Sequence, residues 1–325
     1  MKRKRFVVLF LLLLSFLGTF SVYSVSADDC VYLGGMIAGF TLNTRGAYVM
    51  GLGDVITKDG LTSPSKKSDL EVGDILLEID GKEINSALDV EKTVKNGKEK
   101  TLTIKRDGEI LHKKVTPVKD VGGNYRLGLF LRDAVNGIGT VTYFKGDTMA
   151  TLGHPVLDDC GQLLEIKSGS ICKSCITGVM VGKRGKPGAL RGTLYGNDNL
   201  AKITKNTEFG VFAKIIEDAK IEKGEKVKVG KAKMGNATIY STVDDKVKEY
   251  SILIVKADLT DDSNKGLVIK INDDELIKRT GGIVQGMSGS PIVQDGKLVG
   301  AVTHVFINDP TRGFGINIYN MINNQ

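Results

Sequence analysis

Short apolar runs with alternating polar positions dominate the chain, and tight-turn dipeptides punctuate them. Within residues 33–118, β-type runs occupy 46–50, 74–79, 101–105 and 110–115, and Asp80-Gly81 and Asp107-Gly108 mark hairpins that need positive φ angles. Apolar residues near helical spacing predict one helix over 88–94. Residues 119–124 form a polar, glycine-containing linker. Beyond it, runs at 127–131, 139–144, 209–215, 226–229, 237–242 and 250–257 predict the strands of a second domain over 125–325. A chain of 325 residues is long enough for two domains, each with its own core. Forty glycines and no tryptophan favour many short strands over long helices. The expected class is mainly β.

The most informative stretch is 281–301. Apolar pairs Ile292-Val293 and Leu298-Val299 flank Asp295-Gly296, a hairpin signal, and Gly286-Met287-Ser288-Gly289-Ser290-Pro291 stands just before it. Small residues around Ser288 let the backbone turn sharply and let a substrate carbonyl approach. Such a turn can aim the amides of Gly286 and Ser288 at one point, as an oxyanion hole requires. A glycine-rich β-turn with an ordinary serine is the competing reading.

Resemblance adds to this. The hexapeptide resembles the Gly-Asp-Ser-Gly-Gly-Pro nucleophile loop of chymotrypsin-like serine peptidases, and residues 298–303 resemble the strand that follows it. The longer stretch 280–318 resembles the sporulation stage IV B serine peptidases of endospore-forming bacteria, which carry a PDZ domain ahead of the peptidase. Residues 70–81 resemble the hallmark segment of PDZ domains in bacterial envelope peptidases. The fold implied is a PDZ domain (33–118) followed, after the linker, by a chymotrypsin-like double β-barrel (125–325).

The resemblance implies site residues as well. Residues 151–155, Thr-Leu-Gly-His-Pro, resemble the turn that carries the catalytic histidine, with Pro155 where that fold has a cysteine. His154 is thus the expected base and Ser288 the nucleophile. Of the two other histidines, His112 falls in the last PDZ strand, while Thr303, His304 and Val305 are expected to line the substrate pocket. The family position of the acid is Asp273, fifteen residues before Ser288; the broader fold would place it nearer Asp198 or Asp218. In the PDZ domain the implied carboxylate-binding loop is 37–40, with Ala38, Gly39 and Phe40 as peptide-binding residues. A PDZ fold serving only as a docking platform is the alternative.

Charge and the amino terminus set the compartment. Of the formal charge of +7, four units are Lys2, Arg3, Lys4 and Arg5; the rest of the chain carries 41 basic against 38 acidic residues. No basic stripe interleaves with aromatics, so a nucleic-acid partner is not expected. The four cations precede an apolar run over 6–17 and then Val25-Ser26-Ala27, the pattern of a secretory signal over 1–27. An uncleaved membrane anchor is the alternative, and would be the one membrane contact. Cys30, Cys160, Cys172 and Cys175 leave a disulfide, free thiols or, less compatibly with their spacing, a zinc site open. No metal or cofactor is expected.

What the family implies biologically is a serine endopeptidase secreted across the forespore membrane into the space between forespore and mother-cell membranes. There it would cleave a membrane-bound protein regulator, and itself in trans, to activate late mother-cell transcription. Two other classes compete. A general envelope quality-control protease usually places its peptidase before the PDZ domain. A catalytically inactive PDZ docking protein would not need both Ser288 and His154.

Overall fold

The computed structural model describes residues 30–158 and 161–325, so the signal or anchor segment 1–27 and Cys160 lie outside the described residues. Within them, no helix is long and apolar enough to cross a membrane. Strands dominate, as the alternating pattern predicts.

Two six-stranded antiparallel barrels make up the larger part of the described residues. The first closes in the order 37–43, Leu129–Lys145, Thr148–Thr151, Gly210–Ile215, Ala189–Thr207, Ile166–Met180 and back to 37–43. The second closes through Gly235–Thr242, Val247–Ala257, Leu267–Ile271, Asp309–Asn317, Lys297–Phe306 and Pro291–Gln294. Closure leaves neither sheet an open edge. Inward-facing Phe40, Leu42, Val141, Met149, Ile171 and Val211 fill the first barrel. Ile239, Ile252, Ile269, Ile292, Val299 and Val302 belong to the core of the second. A third cluster sits where the barrels meet. There Tyr143, Phe212 and Leu298 pack with Ile318, Met321 and Ile322 of the helix Ile318–Asn323.

The PDZ module is built on the strands 47–52, Ile75–Ile79, Lys82–Glu83, Lys100–Arg106 and Glu109–Val115. Its helix runs over Ala87–Val94, where Ser86 caps the first turn by accepting from the Asp89 amide at 3.1 Å. Leu76, Ile79, Ile84, Val90, Val94, Leu102 and Ile104 form its core. A buried Asp74 carboxylate is gripped by Arg106, Nε to Oδ1 at 2.6 Å and Nη2 to Oδ2 at 2.9 Å. Those charge-assisted bonds raise the guanidinium pKa further above its ordinary value.

The two units are not strung end to end, because two strands run through both. Strand Ile37–Leu52 begins in the first barrel and ends in the PDZ module, and strand Leu129–Lys145 runs back beside it. Leu52 to Tyr48 pair with Leu129 to Arg132, and Asn43 to Ile37 pair with Ala134 to Thr140. Where the ribbon crosses, the Thr44 hydroxyl donates to the Gly46 carbonyl at 2.7 Å and lies 3.1 Å from the Asp133 carbonyl. Gly46 has φ +88°, and a Cβ there would meet Ile75 and Leu76 at 2.8 Å. The PDZ module therefore sits between the first and second strands of the first barrel.

This placement also overturns Ala38, Gly39 and Phe40 as the peptide-binding loop. All three lie in a strand paired on both edges, with Ile138 and its neighbours on one side and Lys173 to Ile171 on the other. Ala38 and Phe40 are buried, and a Cβ on Gly39 would press on Leu194 and the Cys172 sulfur. A ligand strand has no edge to add to. The Cys172 and Cys175 thiols are free; Cys175 Sγ lies 3.1 Å from the Tyr195 hydroxyl.

Candidate active site

The stretch before Ser288 is set by a short helix. Asp274–Thr280 ends at Gly281, whose left-handed φ of 80° lets its amide bond back to the Ile277 carbonyl. The chain then turns through Gly286 at φ +99° and Gly289 at φ +95°. Gly289 permits a close approach: a Cβ there would collide with the Thr140 carbonyl and stand 2.6 Å from the Leu152 nitrogen. That contact brings the serine loop against the turn carrying His154, in which Leu152 (φ 66°) and Gly153 (φ 70°) are both left-handed. Leucine seldom adopts that conformation, and here it is buried against the barrel.

Strand Leu129–Lys145 fixes the orientation of the loop. Thr140 donates its hydroxyl to the Gly286 carbonyl at 2.8 Å and its amide to the Ser288 carbonyl at 2.9 Å; the Thr142 hydroxyl donates to the Gly289 carbonyl at 2.8 Å. Both threonines are fully buried. With those carbonyls held inward, the amides of Gly286 and Ser288 have no acceptor among the described residues. Two free, adjacent donors are what a developing oxyanion needs. Thr140 and Thr142 escaped the sequence reading, although alternation in 139–144 puts both on one face.

A cavity of about 410 Å³ gathers His154, Gly286, Ser288, Thr303, His304 and Val305, with Ile138 and Leu152 as apolar walls. His154 Nδ1 lies 2.8 Å from the Pro155 carbonyl, which fixes that nitrogen as the donor and leaves Nε2 as the basic nitrogen. Burial pushes the His154 pKa down, partly offset by this bond. The His304 ring lies 5.0 Å from it, centroid to centroid, tilted by 40°. Burial, then the charges of His154 and Lys265, push the His304 pKa down to about 4. Both rings are therefore neutral near pH 7. The Ser288 hydroxyl donates to the Thr303 carbonyl at 2.8 Å, so His154 has yet to receive it.

No carboxylate among the described residues reaches His154. Asp273 is the N-cap of the helix Asp274–Thr280: Oδ1 accepts from the Leu276 amide at 2.9 Å and Oδ2 from the Ser251 amide at 3.2 Å. Its carboxylate is committed to two backbone amides and lines no part of the cavity. The expectation of Asp273 as the acid is thus corrected to a residue that supports the serine loop. Asp198 lines a different cavity, beside Lys173, Cys175 and Tyr195, and Asp218 is exposed in a turn. His112 lies on the PDZ strand Glu109–Val115, its Nδ1 3.4 Å from the Thr103 hydroxyl.

A family model described as SpoIVB peptidase S55 matches residues 123–322, and a PDZ domain model matches 34–116. No curated protein matches the sequence significantly. Among solved structures, the chain is similar to the PDZ domain of the SdrC-like protein Lmo2051 from Listeria monocytogenes, at 23% identity and a TM-score of 0.22, over 27% of this chain and 87% of that one. It is also similar to the active form of the Rv3671c protease from M. tuberculosis, at 13% identity and a TM-score of 0.36, over 58% of this chain and 72% of that one. With a family model spanning most of the chain, the protein belongs to the SpoIVB peptidase S55 family and is a PDZ-containing serine peptidase.

Proposed function

We propose that this peptidase is a sporulation signalling protease, secreted across the forespore membrane, that cleaves a membrane-bound regulator and, in trans, itself. The observation that carries the reading is the family match over 123–322, which covers the second barrel, five of the six strands of the first, and both Ser288 and His154. The match is to a SpoIVB peptidase model, which supports a role of that family's kind, and the cavity contains the groups that peptide-bond hydrolysis requires.

In the chemistry we assign, Ser288 Oγ attacks the scissile carbonyl, His154 Nε2 takes its proton, and the amides of Gly286 and Ser288 hold the oxyanion. The Pro155 carbonyl orients the imidazole, the task a carboxylate performs in a full triad. Beyond Ala301, strand Lys297–Phe306 has no further pairing with Pro291–Gln294, and a substrate backbone laid along 303–305 would donate an N–H to the Thr303 carbonyl. That donor replaces the Ser288 hydroxyl, which is then released to turn towards His154. His304 and Val305 shape the pocket for the residue at the cleavage point.

The test is complementation of an endospore-forming strain lacking its own family member, with wild-type protein or Ser288→Ala. Wild type should restore late mother-cell reporter expression and loss of the intact membrane-bound regulator, and Ser288→Ala should restore neither. Restoration by both proteins would sink the catalytic reading. A wild-type protein that takes up fluorophosphonate but restores nothing would remove the sporulation role alone.

A further inference from the structure

The segment 181–188, Val-Gly-Lys-Arg-Gly-Lys-Pro-Gly, exposes all three of its cations and holds no carboxylate. It joins strands Ile166–Met180 and Ala189–Thr207 of the first barrel as a tight hairpin. Lys183 and Lys186 exchange backbone bonds across it at 2.9 and 2.8 Å, and Gly185 at its tip is left-handed, at φ +78°. The tip does not stand free. The Gly182 amide donates to the Thr280 carbonyl at 2.8 Å, and the Gly185 amide to the Ile307 carbonyl at 2.8 Å. A hairpin of the first barrel is thereby tied to the end of strand Lys297–Phe306, which carries Thr303, His304 and Val305.

Unpaired cations continue beside that strand. The Phe306 and Phe314 rings lie 4.7 Å apart; Arg312 Cζ stands 5.5 Å from the Phe306 centroid and Lys265 Nζ 5.6 Å from the Phe314 centroid. Such stacking holds a cation in place without neutralising it. Arg312 Nε is buried and has no hydrogen-bond partner. Lys183, Arg184, Lys186, Lys265 and Arg312 form no ion pair among the described residues. Asp309, the carboxylate of the segment 306–312, instead accepts from the Thr311 hydroxyl at 2.6 Å and the Thr311 amide at 3.2 Å. Like charges gathered this way repel in the free protein, and an anionic neighbour relieves the repulsion.

The direction of a bound substrate decides where an anion falls. With the residue at the cut opposite Thr303, an antiparallel substrate brings the residue about two before it to Val305 and the one about four before it to Ile307. We propose that the hairpin 183–186 and Arg312 form a substrate subsite that selects acidic side chains about three to six residues before the cleaved bond. Arg312, already stacked on Phe306, takes the carboxylate nearer the cut, and Lys183, Arg184 and Lys186 take those further from it. The subsite rests on Ser288 as the point of cleavage and not on the sporulation role. Each exposed pair contributes little, so selectivity is the sum of several pairs and weakens with salt.

The experiment uses the full chain and three fluorescein-labelled decapeptide libraries, each amidated at the carboxyl end. They share a random carboxyl-terminal half and carry Glu, Gln or Lys throughout the amino-terminal half. Binding is read by anisotropy on Ser288→Ala protein and cleavage on wild type, so a cleft that binds without cutting fails the catalytic reading alone. At low ionic strength the Glu library should bind and be cut at least tenfold better than the Lys library, with Gln between them. The gap should shrink in about 0.5 M salt. The triple variant Lys183→Glu/Arg184→Glu/Lys186→Glu should invert the order while hydrolysis of a small chromogenic ester stays at the wild-type rate. Arg312→Gln should narrow the gap. Equal binding of the three libraries, an unchanged order in the triple variant, or an unchanged gap in Arg312→Gln would each overturn the subsite. Equal binding together with sedimentation on vesicles of anionic phospholipid would overturn it in favour of a membrane surface.

Discussion

The Thr140 hydroxyl donates to the Gly286 carbonyl across 2.8 Å, tying a strand of the first barrel to a loop 146 residues later in the chain. With the Thr140 amide on the Ser288 carbonyl, it holds the loop while the amides of Gly286 and Ser288, two residues that line the cavity, keep no acceptor among the described residues. Thr140→Val keeps the shape and removes the donor, leaving the Gly286 carbonyl without that partner. We expect a stability loss of about 1–3 kcal/mol and a fall in kcat of about 10- to 100-fold with KM little changed. Denaturant melts and steady-state kinetics test this; unchanged kcat would remove Thr140 from oxyanion positioning.

Asp273 separates capping from triad chemistry by a choice of substitution. Asparagine caps a helix as well as aspartate does, so Asp273→Asn should retain the bond from the Leu276 amide, give up the one from the Ser251 amide, because its side-chain NH2 cannot accept, and stay within a few-fold of wild-type rate. Asp273→Ala loses the cap and should cost about 0.5–2 kcal/mol, with fluorophosphonate labelling of Ser288 slowed. A loss of about 10⁴-fold in Asp273→Asn at unchanged stability would instead mark a triad acid.

Ser288→Ala should abolish proteolysis while the melting curve is retained, because its hydroxyl supports only the Thr303 carbonyl. Ser290→Ala should be milder in rate. Ser290 is buried and donates to the Ser241 hydroxyl at 3.0 Å, so its loss should cost about 1 kcal/mol of stability. Active-site labelling beside thermal melts distinguishes the two variants.

Gly39→Asp should lower fluorophosphonate labelling along with substrate recognition. Gly39 is a barrel residue, and a Cβ there would stand 2.5 Å from Leu194 Cγ and 2.9 Å from Cys172 Sγ. A buried aspartate adds an unpaired charge to that clash. A soluble, fully labelled Gly39→Asp protein would contradict the barrel position of this strand.

Both cavity histidines make stability and activity depend on pH in the same direction. In the fold their pKa values are lowered, His304 to about 4, while in the unfolded chain they titrate near 6.5. The unfolded state therefore binds more protons below 6.5. Stability from these groups is fully present above that pH and declines as pH falls from about 6.5 towards 4. The acid limb of kcat/KM, which reports neutral His154, should lie below the ordinary imidazole value. His304→Gln should flatten the acid-side loss of stability; an unaltered profile would mean that His304 is not the group responsible.

The linear pattern was enough to determine the mainly β class of the fold, and the resemblance of two turns singled out Ser288 and His154, which the structure brings to one cavity. Alternation and Asp-Gly turns specify strands wherever they fall, because side-chain period and turn conformation are local properties. The glycines around Ser288 were readable for the same reason: a residue needing positive φ or a close neighbour announces itself by lacking a Cβ. The turn at His154 was reached through resemblance alone, since Leu152 takes a positive φ while carrying a Cβ. Whether a strand is an edge or an interior member is not local. Residues 37–40 and 127–131 are both short apolar runs containing glycine, and only the ladder shows that the first is enclosed on both sides while the second keeps one edge open. The same holds for Asp273, whose carboxylate could serve a helix or a histidine until the tertiary structure brought the Ser251 amide to it. Thr140, 146 residues from Gly286, found its partner only when the barrels closed, because hydrogen bonds across such a separation are decided by topology and not by neighbours in sequence.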